Sequence, residues 1–533
     1  MSSRAGQFHL FPHHSAETPD VIRFVLAILS GAVLSLSYRG EHWSLYSWFC
    51  LAILLTTIIR ARAWVAFVCG FLHGLIFVLT CVPWIAEVLS VHGGMSTAAG
   101  WGVLLLIATV WAIIIGLFAW GVQRLSLRSV ELALWGAPFL WVSTEVARAY
   151  LPEISFPWSL LGYPAAGNPA IAQFTTITGI YGVSFLVMAF NGLLVWSASA
   201  GTRAEAKPRL GILGAVIVAL LLIMAVGPRF VPTAVASHLA RVVQPNFPEN
   251  TQYVGDWYAN HKPDIADLER LSLRRSPGDR QPDLLIWPEA PAPFSFQDPH
   301  FGPMMMRIVQ QFRNPVVVGV IEWKPQPMVI NGVQRESNVP FNSAAMLDEQ
   351  GQRRFSYDKI HLVPFGEYEP FPLIHQVVTS VSEEVGGFRK GRVRYVGRFS
   401  NGNTFSVFIC YEAIYAGEIR EFANRGAQLL INISNDGWFG TSEAAEQHLR
   451  MARIRAIENR RWLIRDTNSG ISASIDPYGN VQRVLHRDER NSADLPYDFR
   501  TDKTIYTRFG DWFAWMCVLV SVILMVTTFR KGK

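Results

Sequence analysis

Apolar residues dominate eight long stretches of the chain, near 21–38, 44–60, 63–87, 98–122, 129–149, 169–198, 210–228 and 509–529. A helix needs about 20 mostly apolar residues to cross a bilayer core. The pattern therefore predicts about eight membrane spans, seven before a long interruption and one after it. The second stretch has few residues to spare, and the sixth is long enough to include an interfacial piece. Between 235 and 508 the pattern shortens. β-rich runs at Ala240–Gln244, Asp283–Trp287, Pro315–Trp323, Ser343–Leu347, Phe405–Cys410 and Leu429–Ser434 read as buried strands. Helical patterns fall at Pro263–Arg275, Gly302–Arg313, Glu418–Arg425 and Glu443–Arg461. Strands alternating with helices predict an α/β domain.

Composition sharpens this division. Half of the 533 residues are hydrophobic, 17% are charged, and mean hydropathy is +0.22. Only 19 of the charged residues lie in the first 227 positions. That excludes an all-soluble enzyme, a disordered chain and a collagen-like repeat. The net charge of +6 does not point to nucleic acid, because many basic residues flank apolar runs and serve as topological anchors. Loops after the second, fourth and sixth stretches and the tail after the eighth carry ten Lys or Arg (Arg60, Arg62, Arg124, Arg128, Arg203, Lys207, Arg209, Arg530, Lys531, Lys533). Near their spans the alternate loops carry only three, Arg39, Arg148 and Arg229. This bias predicts cytoplasmic termini. The expected organisation is a seven-helix transmembrane domain over 1–228, an extracytoplasmic domain over 229–508, and a last helix with a basic tail over 509–533. In a bacterium with two membranes the middle domain would be periplasmic. Glu145 and Arg148 near the end of the fifth stretch are expected to pair and snorkel toward the interface.

Three strand ends in the middle domain carry candidate chemistry. Glu289 follows the apolar run Leu284-Leu285-Ile286-Trp287-Pro288. A poorly solvated carboxylate there has a raised pKa and becomes a better base; the alternative is a loop glutamate facing water. Lys359 and Glu367 bracket a run too apolar for a surface loop, and a buried lysine needs a counter-charge; the alternative is a surface lysine on an edge strand. His361, between them, is either a base or a packing residue. Cys410 ends the run Phe405–Ile409 ahead of a helical stretch, which presents a thiol beside backbone N–H groups; the alternative is an inert buried cysteine. The other four cysteines lie in apolar stretches, so no disulfide or cysteine-rich metal site is expected in the middle domain. The scattered His and acidic residues lack metal-ligand spacing. His448 and Arg453 read as part of a solvated helix face.

Together these motifs are more specific than any one alone. Trp287-Pro288-Glu289, Asp358-Lys359-Ile360-His361-Leu362-Val363-Pro364-Phe365-Gly366-Glu367 and Ile409-Cys410-Tyr411-Glu412 resemble the Glu-Lys-Cys triad motifs of the nitrilase (carbon–nitrogen hydrolase) superfamily. Asn432-Ile433-Ser434-Asn435-Asp436-Gly437-Trp438-Phe439-Gly440, the seven-plus-one spans and Phe156-Pro157-Trp158 are similar to one membrane-bound branch, the apolipoprotein N-acyltransferases. The resemblance implies a multi-pass α-helical membrane bundle carrying an αββα sandwich. It also implies transfer of an acyl chain from a phospholipid, usually phosphatidylethanolamine, to the α-amino group of a lipoprotein's diacylglyceryl-cysteine, without a cofactor. In the implied roles Glu289 is the general base, Lys359 stabilises the oxyanion, Cys410 is the nucleophile and Glu367 supports Lys359. Tyr411, Glu412, Phe294, Phe365 and Trp438 complete the expected substrate-binding set. The apolar segments 291–296, 365–372 and 438–439 are expected either to dip into the membrane interface and guide both lipids, or to be ordinary core. A monomer is the default expectation. Two rivals stay open: a membrane-anchored amidase or nitrilase-type hydrolase in which water resolves the thioester, and a lipid-binding scaffold.

Overall fold

The computed structural model describes residues 18–151, 155–248, 257–276, 280–330, 333–364, 366–368, 387–483 and 485–530. It divides into two compact units. One comprises residues up to 83, 101–232 and from 509 onward; the other comprises 84–100 and 233–508.

The first unit is helical. Each of the eight apolar stretches contains a helix: Asp20–Leu36, Ser47–Ile58, Ala63–Cys81, Thr97–Ser126, Val130–Tyr150, Ile180–Ala198, Arg203–Val226 and Trp512–Arg530. Among the described residues, four helices, Ala63–Cys81, Thr97–Ser126, Ile180–Ala198 and Arg203–Phe230, are long and apolar enough to cross a membrane. Two expected boundaries shift. The third helix stops at Cys81, ahead of Pro83, and a separate helix Trp84–Val91 follows. The sixth begins only at Ile180, because Gly179 adopts φ 66° and three one-turn helices precede it.

Glu145 and Arg148 do not snorkel. Both are buried. The Glu145 carboxylate accepts from Trp141 Nε1 (3.0 Å) and from the Leu161 amide (2.7 Å), while Arg148 donates to the Ser159 carbonyl (3.4 Å). They hold the irregular segment around Phe156-Pro157-Trp158, whose backbone groups lack helical partners and must be satisfied by side chains.

The second unit contains two six-stranded sheets. Strands β1 (His238–Gln244), β2 (Leu284–Ile286), β3 (Val316–Ile330), β4 (Val333–Leu347), β5 (Arg353–Asp358) and β12 (Asn491–Tyr497) form the first, in the order β12-β1-β2-β3-β4-β5. Strands β6 (Gly397–Arg398), β7 (Thr404–Ile409), β8 (Leu429–Ser434), β9 (Trp462–Thr467), β10 (Ala473–Ile475) and β11 (Val481–Arg483) form the second, in the order β11-β10-β9-β8-β7-β6. Parallel pairing at β1/β2/β3 and at β7/β8/β9 lies at the centre of each sheet, where strands such as Leu429–Ser434 are buried along their whole length. The sheets meet through β1 against β9 and β4 against β7. Helices Lys262–Ser272 and Phe301–Phe312 cover the outer face of the first sheet through Leu268, Leu271, Met304, Met305 and Ile308. Helices Ala416–Asn424 and Ala444–Asn459 pack on the second.

Candidate functional site

Glu289, Lys359 and Cys410 each follow the last residues of a strand, β2, β5 and β7 respectively, and these three ends converge. The run Leu284–Trp287 is wholly buried, so its first polar side chain, Glu289, emerges where the strand stops. Its Oε1 accepts from Lys359 Nζ (2.9 Å) and Asn342 Nδ2 (2.7 Å); its Oε2 accepts from the Asn435 amide (2.9 Å). Lys359 is 1% exposed, and its ammonium also donates to Glu367 Oε1 (3.0 Å). Asn342 Nδ2 makes the same bridge to Glu367 (2.6 Å). The second oxygen of Glu367 accepts from the Val363 amide (2.8 Å). Burial works against the Lys359 charge, but the two carboxylates outweigh it and hold the ammonium well above the ordinary lysine pKa. The site thus keeps a permanent cation between two carboxylates.

Cys410 opens a tight 3₁₀ turn, Cys410–Ile414, directly after β7. Its φ of 49° lies in the left-handed region, which costs a non-glycine residue about 1–3 kcal/mol. Such a sharp strand-to-helix turn projects the side chain beyond the strand end and directs the following N–H groups alongside it. Burial, then the Glu289 charge, push the thiol pKa up, and Lys359 only partly offsets them. The resting sulfur is therefore a protonated thiol that needs a base at the moment of attack.

Glu412 ties the Lys359 loop to the Cys410 turn. Wholly buried, it accepts from the amides of Ile409 (2.7 Å), Ile360 (2.7 Å) and His361 (3.1 Å) and from the Tyr357 hydroxyl (2.8 Å). With its oxygens engaged this way, it positions the Lys359 loop against the Cys410 turn and does not meet substrate. Phe294 is likewise unavailable to a lipid: it is fully buried in an aromatic core with Trp257, Tyr258, Trp287 and Phe301. The segment 291–296 is therefore mostly core. Tyr411 is buried and its hydroxyl meets that of Tyr415 (3.1 Å). Trp438 is half-buried, with its ring 4.9 Å from His92. Phe365 lies outside the described residues, as does most of 365–372. His361 is a packing residue, stacked 4.0 Å from Tyr415 with Nε2 3.3 Å from Glu418.

Sequence reasoning missed Asn342 and misread His448. Asn342 is an interior residue of β4 whose only signal is a polar side chain in a strand. His448 is fully buried, not on a solvated face. Its Nε2 lies 3.0 Å from the Cys410 carbonyl oxygen, and its Nδ1 faces Asp436 Oδ1 (3.1 Å) and Arg465 Nη2 (3.0 Å). Arg453 is half-buried and donates to the Gly479 carbonyl (2.7 Å).

Residues 239–498 match the carbon-nitrogen hydrolase family, and residues 30–193 match the apolipoprotein N-acyltransferase N-terminal domain. Among solved structures, Saccharomyces cerevisiae Nit3, a member of branch 10 of the nitrilase superfamily, is 17% identical with a TM-score of 0.37, over 50% of this chain and 92% of its own. An amidase from Nesterenkonia sp. is 18% identical with a TM-score of 0.35, over 52% and 94%. Three curated relatives carry the name apolipoprotein N-acyltransferase. That of Geobacter metallireducens is 30% identical over 95% of both chains, and that of Rhodopseudomonas palustris 31% over 70% of both. That of Chlorobaculum tepidum is 28% identical over 95% of this chain and 97% of its own. With likeness running through both the helical and the sandwich segments, the chain belongs to the apolipoprotein N-acyltransferase family.

Proposed function

We propose that the protein transfers an acyl chain from a membrane phospholipid to the α-amino group of the diacylglyceryl-cysteine that begins an apolipoprotein, through a thioester on Cys410. The observation that carries this reading is the buried Lys359 ammonium held between Glu289 and Glu367, with the Cys410 thiol within its electrostatic reach. Glu289 takes the thiol proton as the sulfur attacks the ester carbonyl. Charge developing on the carbonyl oxygen meets Lys359 Nζ and the Tyr411 N–H. Losing one such donor typically costs about 3–4 kcal/mol of transition-state stabilisation. The tetrahedral intermediate collapses, the lysophospholipid oxygen takes the proton from Glu289 as it leaves, and the acyl group remains on sulfur. The amine then attacks the thioester, Glu289 accepts its proton and returns it to the departing sulfur. The expected kinetics are ping-pong.

A bilayer-embedded donor requires a membrane-embedded enzyme, because moving an acyl chain into water costs about 0.8 kcal/mol per CH₂. The reading includes eight spans in the inner membrane of a bacterium, cytoplasmic termini and a periplasmic sandwich, with phosphatidylethanolamine as the usual donor and Trp438 among the residues that meet lipid. The charge bias of the loops supports this orientation. So does the grouping of 84–100, which links two of the helices long enough to span, with the sandwich unit. That linker and the sandwich then share one side of the membrane.

The test is to incubate the purified full-length protein with a phospholipid carrying an alkyne-tagged acyl chain, with and without a diacylated lipopeptide. A hydroxylamine-labile tag on wild-type protein, absent from Cys410→Ala and passed to the peptide amine, is the expected result. Tag released only as free fatty acid in the presence of peptide would favour hydrolysis and overturn the acyltransferase reading.

A further inference from the structure

The carbonyl of Cys410, whose backbone has a positive φ, meets a side chain that the mechanism above does not use. A carbonyl oxygen can only accept, so the 3.0 Å contact between His448 Nε2 and the Cys410 oxygen requires a proton on Nε2. The far side of the ring supplies a donor for Nδ1. One Arg465 nitrogen, Nη2, reaches both Asp436 Oδ2 (2.6 Å) and His448 Nδ1 (3.0 Å), and its two protons can serve both. Ser434 Oγ supplies Asp436 Oδ1 with a second donor (2.8 Å), and Arg465 also donates to Asn432 Oδ1. Nδ1 also lies 3.1 Å from Asp436 Oδ1; in the neutral ring that donates from Nε2 to the Cys410 carbonyl, Nδ1 accepts from Arg465. Burial, then the neighbouring Arg465 charge, lower the His448 pKa against the pull of Asp436, which keeps the ring neutral near pH 7. All four of His448, Asp436, Arg465 and Asn432 are fully buried, so substrate cannot reach them.

We propose that His448 is a positioning residue for acyl transfer: its Nε2–H clamps the Cys410 carbonyl and so keeps the nucleophile in the left-handed turn that sets its sulfur near Glu289 and Lys359. This inference rests on the thioester reading above. A relaxed Cys410 would swing both the thiol and the following amides, and misplacing a reacting group by about 1 Å can cost about a hundredfold in rate.

The test compares two amide substitutions in the full-length enzyme. A glutamine amide nitrogen can occupy the place of Nε2, whereas asparagine reaches only as far as Nδ1. The readouts are the rate of acyl-Cys410 formation from tagged phospholipid in a single turnover, its dependence on phospholipid concentration, and the thermal unfolding midpoint. His448→Asn is expected to slow acylation by about ten- to a hundredfold, with half-saturation unchanged within about twofold. His448→Gln is expected to recover most of the rate, although both substitutions disturb the same packing. Equal slowing in both variants at similar unfolding midpoints would overturn the inference, as would wild-type acylation by His448→Asn. Absence of acyl-Cys410 in the wild type would instead overturn the thioester reading itself. If His448→Asn does not fold, His448→Gln decides alone: a folded glutamine variant slowed by about a hundredfold or more refutes a clamp made by the donor.

Discussion

At the scale of single residues, the site keeps its nucleophile protonated until substrate arrives. Cys410 is a buried thiol whose pKa is raised by burial and by Glu289, so at any given pH it carries less thiolate than an exposed cysteine. A free thiol is half ionised near pH 8.5. Alkylation of Cys410 by iodoacetamide should therefore remain slow across that pH and rise only well above it. Glu289→Gln removes one of the charges that oppose ionisation while leaving Lys359 in place. Its alkylation profile is expected to move to lower pH, even as transfer falls by about a hundredfold or more for loss of the base. An unchanged profile would mean that Glu289 does not act on the thiol. At this scale the sequence was partly legible. Glu289, Lys359 and Cys410 stand out because each interrupts an apolar run at the point where a chain turn is due. Asn342 and His448 do not stand out, because their roles arise from partners 25 to 53 residues away along the chain.

At the scale of elements, strand ends and close approaches set the geometry. Gly319 on β3 lies under the turn that bears Glu289. A methyl group there would collide with the Pro288 carbonyl and come within 2.8 Å of Glu289 Cα. Backbone cannot yield as a flexible side chain does, so Gly319→Ala should displace the base by a fraction of an ångström to an ångström. The expected result is a loss of about a hundredfold in thioester formation, with the rate of peptide acylation as the measurement. A second prediction concerns Asp436, which follows β8 and joins it to Arg465 on β9 and to the helix Ala444–Asn459. Burial would raise its pKa, but the adjacent Arg465 charge outweighs that and holds it well below the usual carboxylate range. A depressed pKa contributes stability that is present above the unfolded value near 3.9 and is lost as pH falls toward the folded one. Asp436→Asn should lower stability at pH 7 by about 3–5 kcal/mol, the usual loss when one partner of a buried pair is removed. The gap from wild type should narrow below about pH 4, as unfolding midpoints taken from pH 3 to 7 would record. The interior strands were readable from continuous apolar runs. β6, β10 and β11 have only two or three residues each, too few for a period to register. The helix Ala444–Asn459 buries Gln447, His448, Arg455, Glu458 and Asn459 along with its apolar residues. No polar face can be read from such a pattern, which is why His448 looked like a solvent-facing residue.

At the scale of the whole molecule, the alternation of basic and neutral loops becomes a statement about sides. Val91 is exposed in the linker 84–100, and Thr202 sits just ahead of the helix Arg203–Val226. With the four helix-borne cysteines replaced, Val91→Cys should react with an impermeant maleimide added to intact spheroplasts. Thr202→Cys should react only after the membrane is opened. Labelling of both residues from the same side would contradict the eight-span arrangement. The division between helical and sandwich segments was visible at once in the density of charge. The joining of 84–100 to the sandwich was not, since nothing in that stretch differs in composition from an ordinary connector.

That joining has a practical consequence. Trp84 packs edge-on against Phe439 (5.0 Å), and Phe439 in turn meets the ring of His448 (5.8 Å). A gene fragment that starts at Thr233 would encode every triad residue yet leave Phe439 without its cover. Anyone seeking a water-soluble cassette of this enzyme should splice 84–100 back in by a short linker, because the working half was never contiguous in the gene.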